Sequence, residues 1–146
     1  MERNYKLLKN DSIKIGDAIL YRIECIKEFF NQNNVIKVGV KGGYIQSYDN
    51  LRDTAWVYGD AKVYNNAMVY DEAGIYGNTL VCDNAKVYDN AKVYNNALVC
   101  NNAKVYGNAK VYNNAWVCNN AKVYNNAKVY DNAKVYGEAI CTKIIN

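Results

Sequence analysis

Ala85-Lys86-Val87-Tyr88-Asp89-Asn90, Ala91-Lys92-Val93-Tyr94-Asn95-Asn96, Ala97-Leu98-Val99-Cys100-Asn101-Asn102: three successive hexads carry one phrase, and the same phrase runs from about Ala55 to Cys141. An aliphatic residue returns every six positions, at Val63, Val69, Ile75, Val81 and onward to Val135, with a small residue two positions before it. In an extended segment residues two apart share a face. Ala and Val therefore point one way, and the Lys between them and the Tyr after them point the other. The pair that closes each hexad, Asn-Asn, Asp-Asn or Gly-Asn, suits a corner, because these residues tolerate positive φ and their side chains bond backbone. No apolar stripe at helical spacing competes with this reading. A six-residue period belongs to a parallel β-helix in which three hexads close one triangular coil of eighteen residues.

Three sides are also written in the exceptions. The Tyr slot becomes Cys at Cys82, Cys100 and Cys118, and in the same hexads the Lys slot becomes Leu80, Leu98 and Trp116. Substitutions at every third hexad mark one side as apolar. The second side carries Lys86, Lys104 and Lys122 beside Tyr88, Tyr106 and Tyr124. The third carries Lys92, Lys110 and Lys128 beside Tyr94, Tyr112 and Tyr130. Walking the register backwards places Ile45 and Leu51 in the Val slot and Gly43 in the small slot. The sequence thus divides into a cap segment over 1–42, a β-helix over 43–142 and a tail over 143–146. Within the cap, Ser12–Ile15 and Ala18–Tyr21 read as strands about a Gly16-Asp17 turn. Ile19–Phe30 also fits a helix, but strand through Cys25 is preferred. Residues 31–34 read as a polar loop.

The hexads resemble the hexapeptide repeat of left-handed β-helices, best known in bacterial acyltransferases; that resemblance alone implies the handedness. A closer one rests on Leu20-Tyr21-Arg22-Ile23, Val38-Gly39-Val40-Lys41-Gly42-Gly43-Tyr44-Ile45, Asn50-Leu51 and Ala55-Trp56-Val57-Tyr58. Together these are similar to the leader of small hexapeptide-repeat proteins common in bacteriophages and prophages, often labelled transferases. The family's usual Gly-Asp-Leu-Gly-Gly is Gly39-Val40-Lys41-Gly42-Gly43 here, so its acidic residue is lost. The resemblance implies a β-helix of phage type, at work in the cytoplasm of a bacterial host.

The chain contains no His, and hexapeptide-repeat acyltransferases generally use one as general base. The two-residue corners leave no inserted loop for an acceptor pocket. No catalytic residue, metal ligand or cofactor is therefore assigned, and the chain is read as a non-enzyme, with an atypical acyltransferase as the third alternative. The five Cys lack a disulfide-scaffold spacing and suit a reducing compartment. No apolar run is long enough for a membrane span.

A protein partner, either a host factor or a second copy, is expected on the strip of Leu80, Cys82, Leu98, Cys100, Trp116 and Cys118, unless the cap folds over it. A phage protein of this build would suit inhibition of a host defence enzyme, such as the nuclease of a CRISPR system. The runner-up is nucleic-acid binding on the Lys/Tyr ladders, although the net charge is only +4. At the other end Ile140, Cys141, Ile144 and Ile145 form a candidate end-to-end homodimer contact, with a lateral contact through Trp116 as the competing geometry.

Overall fold

The computed structural model describes residues 3–146 and is all-β apart from a single 3-10 turn, Tyr48–Asn50. From Lys41 onward the chain winds through two-residue rungs, each Lys-Val pair or its equivalent. The inner rungs pair in parallel with the rungs eighteen residues before and after them: Leu80 with Lys62 and Leu98, Lys86 with Met68 and Lys104, Lys92 with Gly74 and Lys110. The result is a three-sided β-solenoid.

Face 1 stacks Tyr44–Ile45, Lys62–Val63, Leu80–Val81, Leu98–Val99, Trp116–Val117 and Lys134–Val135. Face 2 runs from a bridge at Leu51 through Met68, Lys86, Lys104 and Lys122 to Ile140–Cys141. Face 3 runs from Trp56 through Gly74, Lys92, Lys110 and Lys128 to Ile144–Ile145. The ladder thus extends to Ile145, past the Thr142 expected from the repeat, because the last corner is two residues shorter and brings Ile144 beside Lys128. Each face is about 24 Å tall at the usual 4.8 Å strand spacing.

The interior is a column of Ala and Val with no exposure from Ala61 to Val93 and again from Val99 to Val129. The first residue of nearly every corner sits at φ near +60°, as at Asn65, Asp83, Asn101 and Gly107. The corners are themselves laddered. Asn66 N–H donates to Asp83 O at 2.8 Å, and the same bond recurs coil after coil. The Asn and Asp side chains reach the next coil rather than their own turn. Asn65 Oδ1 accepts from Asp83 N–H, Asp83 Oδ2 from Asn101 N–H, Asn101 Oδ1 from Asn119 N–H, and Asn119 Oδ1 from Gly137 N–H. A Gly can receive in such a column but cannot pass it on.

The N-terminal segment closes the first coil. Strand β1 (Tyr5–Ile15) pairs antiparallel with β2 (Ala18–Cys25) around Gly16, and β2 pairs antiparallel with β5 (Lys41–Ile45), so the hairpin extends face 1. The strand reading through Cys25 is the one the structure shows. A second hairpin joins β3 (Phe29–Asn31) to β4 (Asn34–Ile36). The segment 31–34, expected as a polar loop, is the tight turn of this hairpin: Asn33 and Asn34 are exposed, while the Asn31 side chain is fully buried.

The physical reason lies in the coil below. A regular coil donates its N–H groups to carbonyls of the next one, and at the top those donors are missing. Asn31 works beside that ladder: its Nδ2 donates to Thr54 O and Glu72 O, corner carbonyls that the ladder does not reach, and to Ala73 O, which also receives the Trp56 N–H, at 2.9–3.2 Å, while Tyr58 OH donates to Asn31 Oδ1. Asn50 replaces a missing ladder donor at the next corner. Its backbone N–H is used in the 3-10 turn on Ser47 O, so its Nδ2 donates instead to Ala67 O (2.8 Å) and Asn65 O (3.2 Å).

Arg22 pins the hairpin to the first coil. Its guanidinium donates to Asp11, Gly42 O, Gly59 O, Tyr44 OH and Asp60, with 2.7 Å to Tyr44 and 2.8 Å to Gly42. Gly42 and Gly43 lie where no side chain fits: a Cβ would stand 2.4 Å from Val57 O and 2.3 Å from Ala61 O. Arg22, Gly42, Gly43 and Asn50, four residues of the leader, all help to build the closure of the solenoid.

Candidate functional site

The three faces are chemically distinct, and the outward slots decide what each can touch. On face 1 the Lys-slot column reads Tyr44, Lys62, Leu80, Leu98, Trp116, Lys134. The Tyr-slot column beside it reads Tyr64, Cys82, Cys100, Cys118, Tyr136. The structure therefore brings all six apolar candidates, Leu80, Cys82, Leu98, Cys100, Trp116 and Cys118, onto adjacent rungs of one face. The cap covers only its beginning: Ala18 and Leu20 pack with Tyr44, and Ile13, Ile15 and Tyr64 pack against that cluster. Leu80 and Leu98 stay half-buried and Trp116 is 43% exposed. The strip is framed by cations at both ends, Lys62 and Lys134, with the Lys134 ammonium 4.6 Å from the Trp116 ring centroid.

The thiols beneath this strip are not poised for chemistry. Burial, then the neighbouring Cys82 and Cys118, push the Cys100 thiol up to about 12, and burial raises Cys82 as well. Nucleophilic thiols are held low. All five cysteines are free.

Faces 2 and 3 carry the Lys/Tyr ladders in the expected register. On face 2 Tyr70, Tyr88, Tyr106 and Tyr124 stack at 4.9 Å with interplanar angles of 2–7°. On face 3 Tyr94, Tyr112 and Tyr130 stack in the same way. The column breaks above Tyr94, where Tyr76 leans over Gly74 and meets Tyr94 edge-on at 89°. This packing bears on the nucleic-acid reading. A base stacks on a free ring face, and each inner Tyr has both faces covered by its neighbours. The ladders offer Lys86, Lys104, Lys122, Lys92, Lys110 and Lys128 to phosphates, but their inner rings offer bases only edges.

The Tyr columns also give the fold a pH dependence. Burial, then the neighbouring phenols Tyr70 and Tyr106, push Tyr88 up to about 12, and Tyr64 is pushed equally high, by burial first. A raised folded-state value favours the neutral phenol. That contribution is fully present below the ordinary value of 10 and is lost as pH rises towards 12. Melting temperature should therefore hold level from pH 7 to 9 and fall steeply between 10 and 12. A Tyr88→Phe, Tyr106→Phe chain should show a shallower fall; an identical curve would refute the assignment.

At the C-terminal end the candidates separate. Ile140 and Ile144 occupy outward Lys slots and are 64% and 62% exposed, and Ile145 is 38% exposed. Cys141 stands in the inward Val slot and is buried, so it cannot form part of an end contact. The rungs Lys134–Val135, Ile140–Cys141 and Ile144–Ile145 are the terminal strands of their sheets, leaving three open edges.

One candidate escaped the repeat reading. Between the cap and the first rungs of face 2 lies a cleft of about 440 Å³, lined by Arg3, Tyr48, Leu51, Arg52, Met68 and Tyr70 among others. Its signal in the sequence was the break in the face-2 pattern, Arg52 in a Tyr slot and Met68 in a Lys slot.

Residues 103–119 match the YdcK β-solenoid repeat. That stretch is almost one full coil, from Ala103 on face 2 round to the corner after Cys118, and the likeness is one of repeat architecture. No curated protein matches the chain. Among the described residues no helix is long and apolar enough to cross a membrane.

Proposed function

We propose that this protein is a non-catalytic binding scaffold that docks a protein partner on face 1. The observation that carries the reading is the outward Leu80–Leu98–Trp116 strip, half-buried at the two leucines and exposed at Trp116, uncovered by the cap and framed by Lys62 and Lys134. An apolar centre with a charged rim is the anatomy of a protein interface, and a half-exposed Trp is a natural anchor. The matching partner surface is an apolar pocket flanked by carboxylates. The strip spans only three rungs, so a standard footprint of about 800 Å² per partner also takes in the adjoining Asn corner. The phage-like leader favours a host protein as that partner, and interference with an antiviral enzyme as the consequence. The three open edges with Ile140 and Ile144 favour a second copy at the C-terminal end.

The test is capture from host lysate with and without nuclease. Trp116→Glu should weaken recovery of the partner at least tenfold, since anchor residues are worth about 2 kcal/mol or more. Replacing Lys104, Lys110 and Lys122 together by Glu should leave recovery unchanged. Capture that is lost on nuclease treatment, or in the Lys variant alone, would transfer the function to the ladders.

A further inference from the structure

The cleft above face 2 stands where the Tyr column ends. Tyr70 is stacked on Tyr88 at 4.9 Å and 6° on one side. On its other side, among the described residues, no ring or cation covers it. The residue one rung above is Arg52, whose guanidinium lies 3.9 Å from Asp49 and is half exposed. The Lys slot alongside holds Met68, so the floor of the cleft is apolar where the rest of the face is cationic.

The polar groups around the cleft fall into two kinds. Most are committed to the fold. Tyr5 OH donates to Leu51 O at 2.8 Å, Tyr48 OH accepts from Leu7 N–H, and Asp53 Oδ2 accepts from Asp71 N–H at 3.0 Å. The two guanidiniums are not. Arg3 lies 3.9 Å from the Tyr48 ring centroid, a contact that leaves its donors free, and Arg52 has only the long contact to the exposed Asp49. A free aromatic face, an apolar floor and two guanidiniums converge in a space of ligand size, since pockets begin at roughly 300 Å³.

We propose that this cleft binds a planar aromatic ring bearing a phosphate, the chemistry of a nucleoside monophosphate. The ring continues the tyrosine column beyond Tyr70, and Arg3 and Arg52 hold the phosphate through the forked geometry that guanidinium groups offer oxyanions. Tyr70 differs from the inner phenols of its column in having an open face, so a ring can stack here where the ladder forbids it.

Calorimetric titration of the whole protein with the four common nucleoside monophosphates, with adenosine and with inorganic phosphate tests this. At least one monophosphate should bind tenfold or more tightly than adenosine or phosphate. Tyr70→Leu should weaken it at least tenfold while leaving phosphate binding unchanged. Arg52→Gln should weaken both, and Lys104→Gln, lower on the same face, neither. No monophosphate binding up to about 5 mM would overturn the proposal. So would phosphate binding as tightly as any monophosphate, or an equal loss in Lys104→Gln. Melting curves of the variants confirm that each is folded.

Discussion

Replacing Gly43 by Ala should cost the protein at least about 3 kcal/mol, and Gly43→Val should prevent the first coil from forming. The added Cβ would lie 2.3 Å from Ala61 O and 2.7 Å from Val57 Cγ1. The first of these is backbone in the neighbouring rung, held by the Tyr44 N–H bond to Ala61 O at 2.9 Å, and it cannot rotate away. Overpacking of this kind costs about 1–3 kcal/mol even where side chains can yield. Total stabilities are only about 5–15 kcal/mol. Gly16 is the internal comparison. It sits at φ +58° with open space around its Cβ position, so Gly16→Ala should cost only about 1–2 kcal/mol for the left-handed backbone. Urea denaturation followed by circular dichroism reads both. A Gly43→Ala chain within about 0.5 kcal/mol of wild type would show that the first coil is not packed as described.

The second large effect belongs to Arg22. Arg22→Met keeps the aliphatic stem and removes every donor. The bonds to Gly59 O and Asp60 are exposed and contribute little. Those to Gly42 O, Tyr44 OH and Asp11 are partly buried, and their loss takes a donor from the Gly42 carbonyl and leaves the Asp11 carboxylate with the Tyr44 hydroxyl alone. Together this predicts about 2–4 kcal/mol of destabilisation. The damage should be local, with β1 and β2 separating from the coil, so limited proteolysis should cut near Gly16 before the rungs are attacked. Arg22→Lys should recover little, because one ammonium cannot serve five acceptors set in a fork. Unchanged stability and unchanged cleavage in Arg22→Met would dismiss the pin.

These two residues also show what can be read in a chain of this kind. The rungs were legible because the determinant is local: Ala and Val two apart face inward, and the first residue of the corner, Asn, Asp or Gly, takes positive φ. The column of Cys82, Cys100 and Cys118 on one face followed from the eighteen-residue spacing alone. The cap contacts were not legible in the same way. Asn31 and Asn50 are ordinary polar residues until the coil below presents carbonyls with room for a further donor, and that need exists only in three dimensions. Polar composition therefore suggested a polar loop at 31–34, with no sign that the structure buries the Asn31 amide. Cys141 was grouped with its apolar neighbours, although the period places it in the inward slot. The strip on face 1 was half legible, since the repeat aligned its residues but only the cap's position left them uncovered. The cleft at Tyr70 was written as two irregular residues, Arg52 and Met68, whose meaning depends on Arg3 returning from the far end of the chain.

The most direct test of face 1 as the docking surface is site-specific photo-crosslinking in the host cell. A photoreactive amino acid at position 98, between Leu80 and Trp116, is compared with the same group at position 104 on face 2. The scaffold reading predicts a discrete protein adduct from position 98, resistant to nuclease, abolished by Trp116→Glu and absent from position 104. Adducts from position 104 alone, or adducts that nuclease removes, would contradict it.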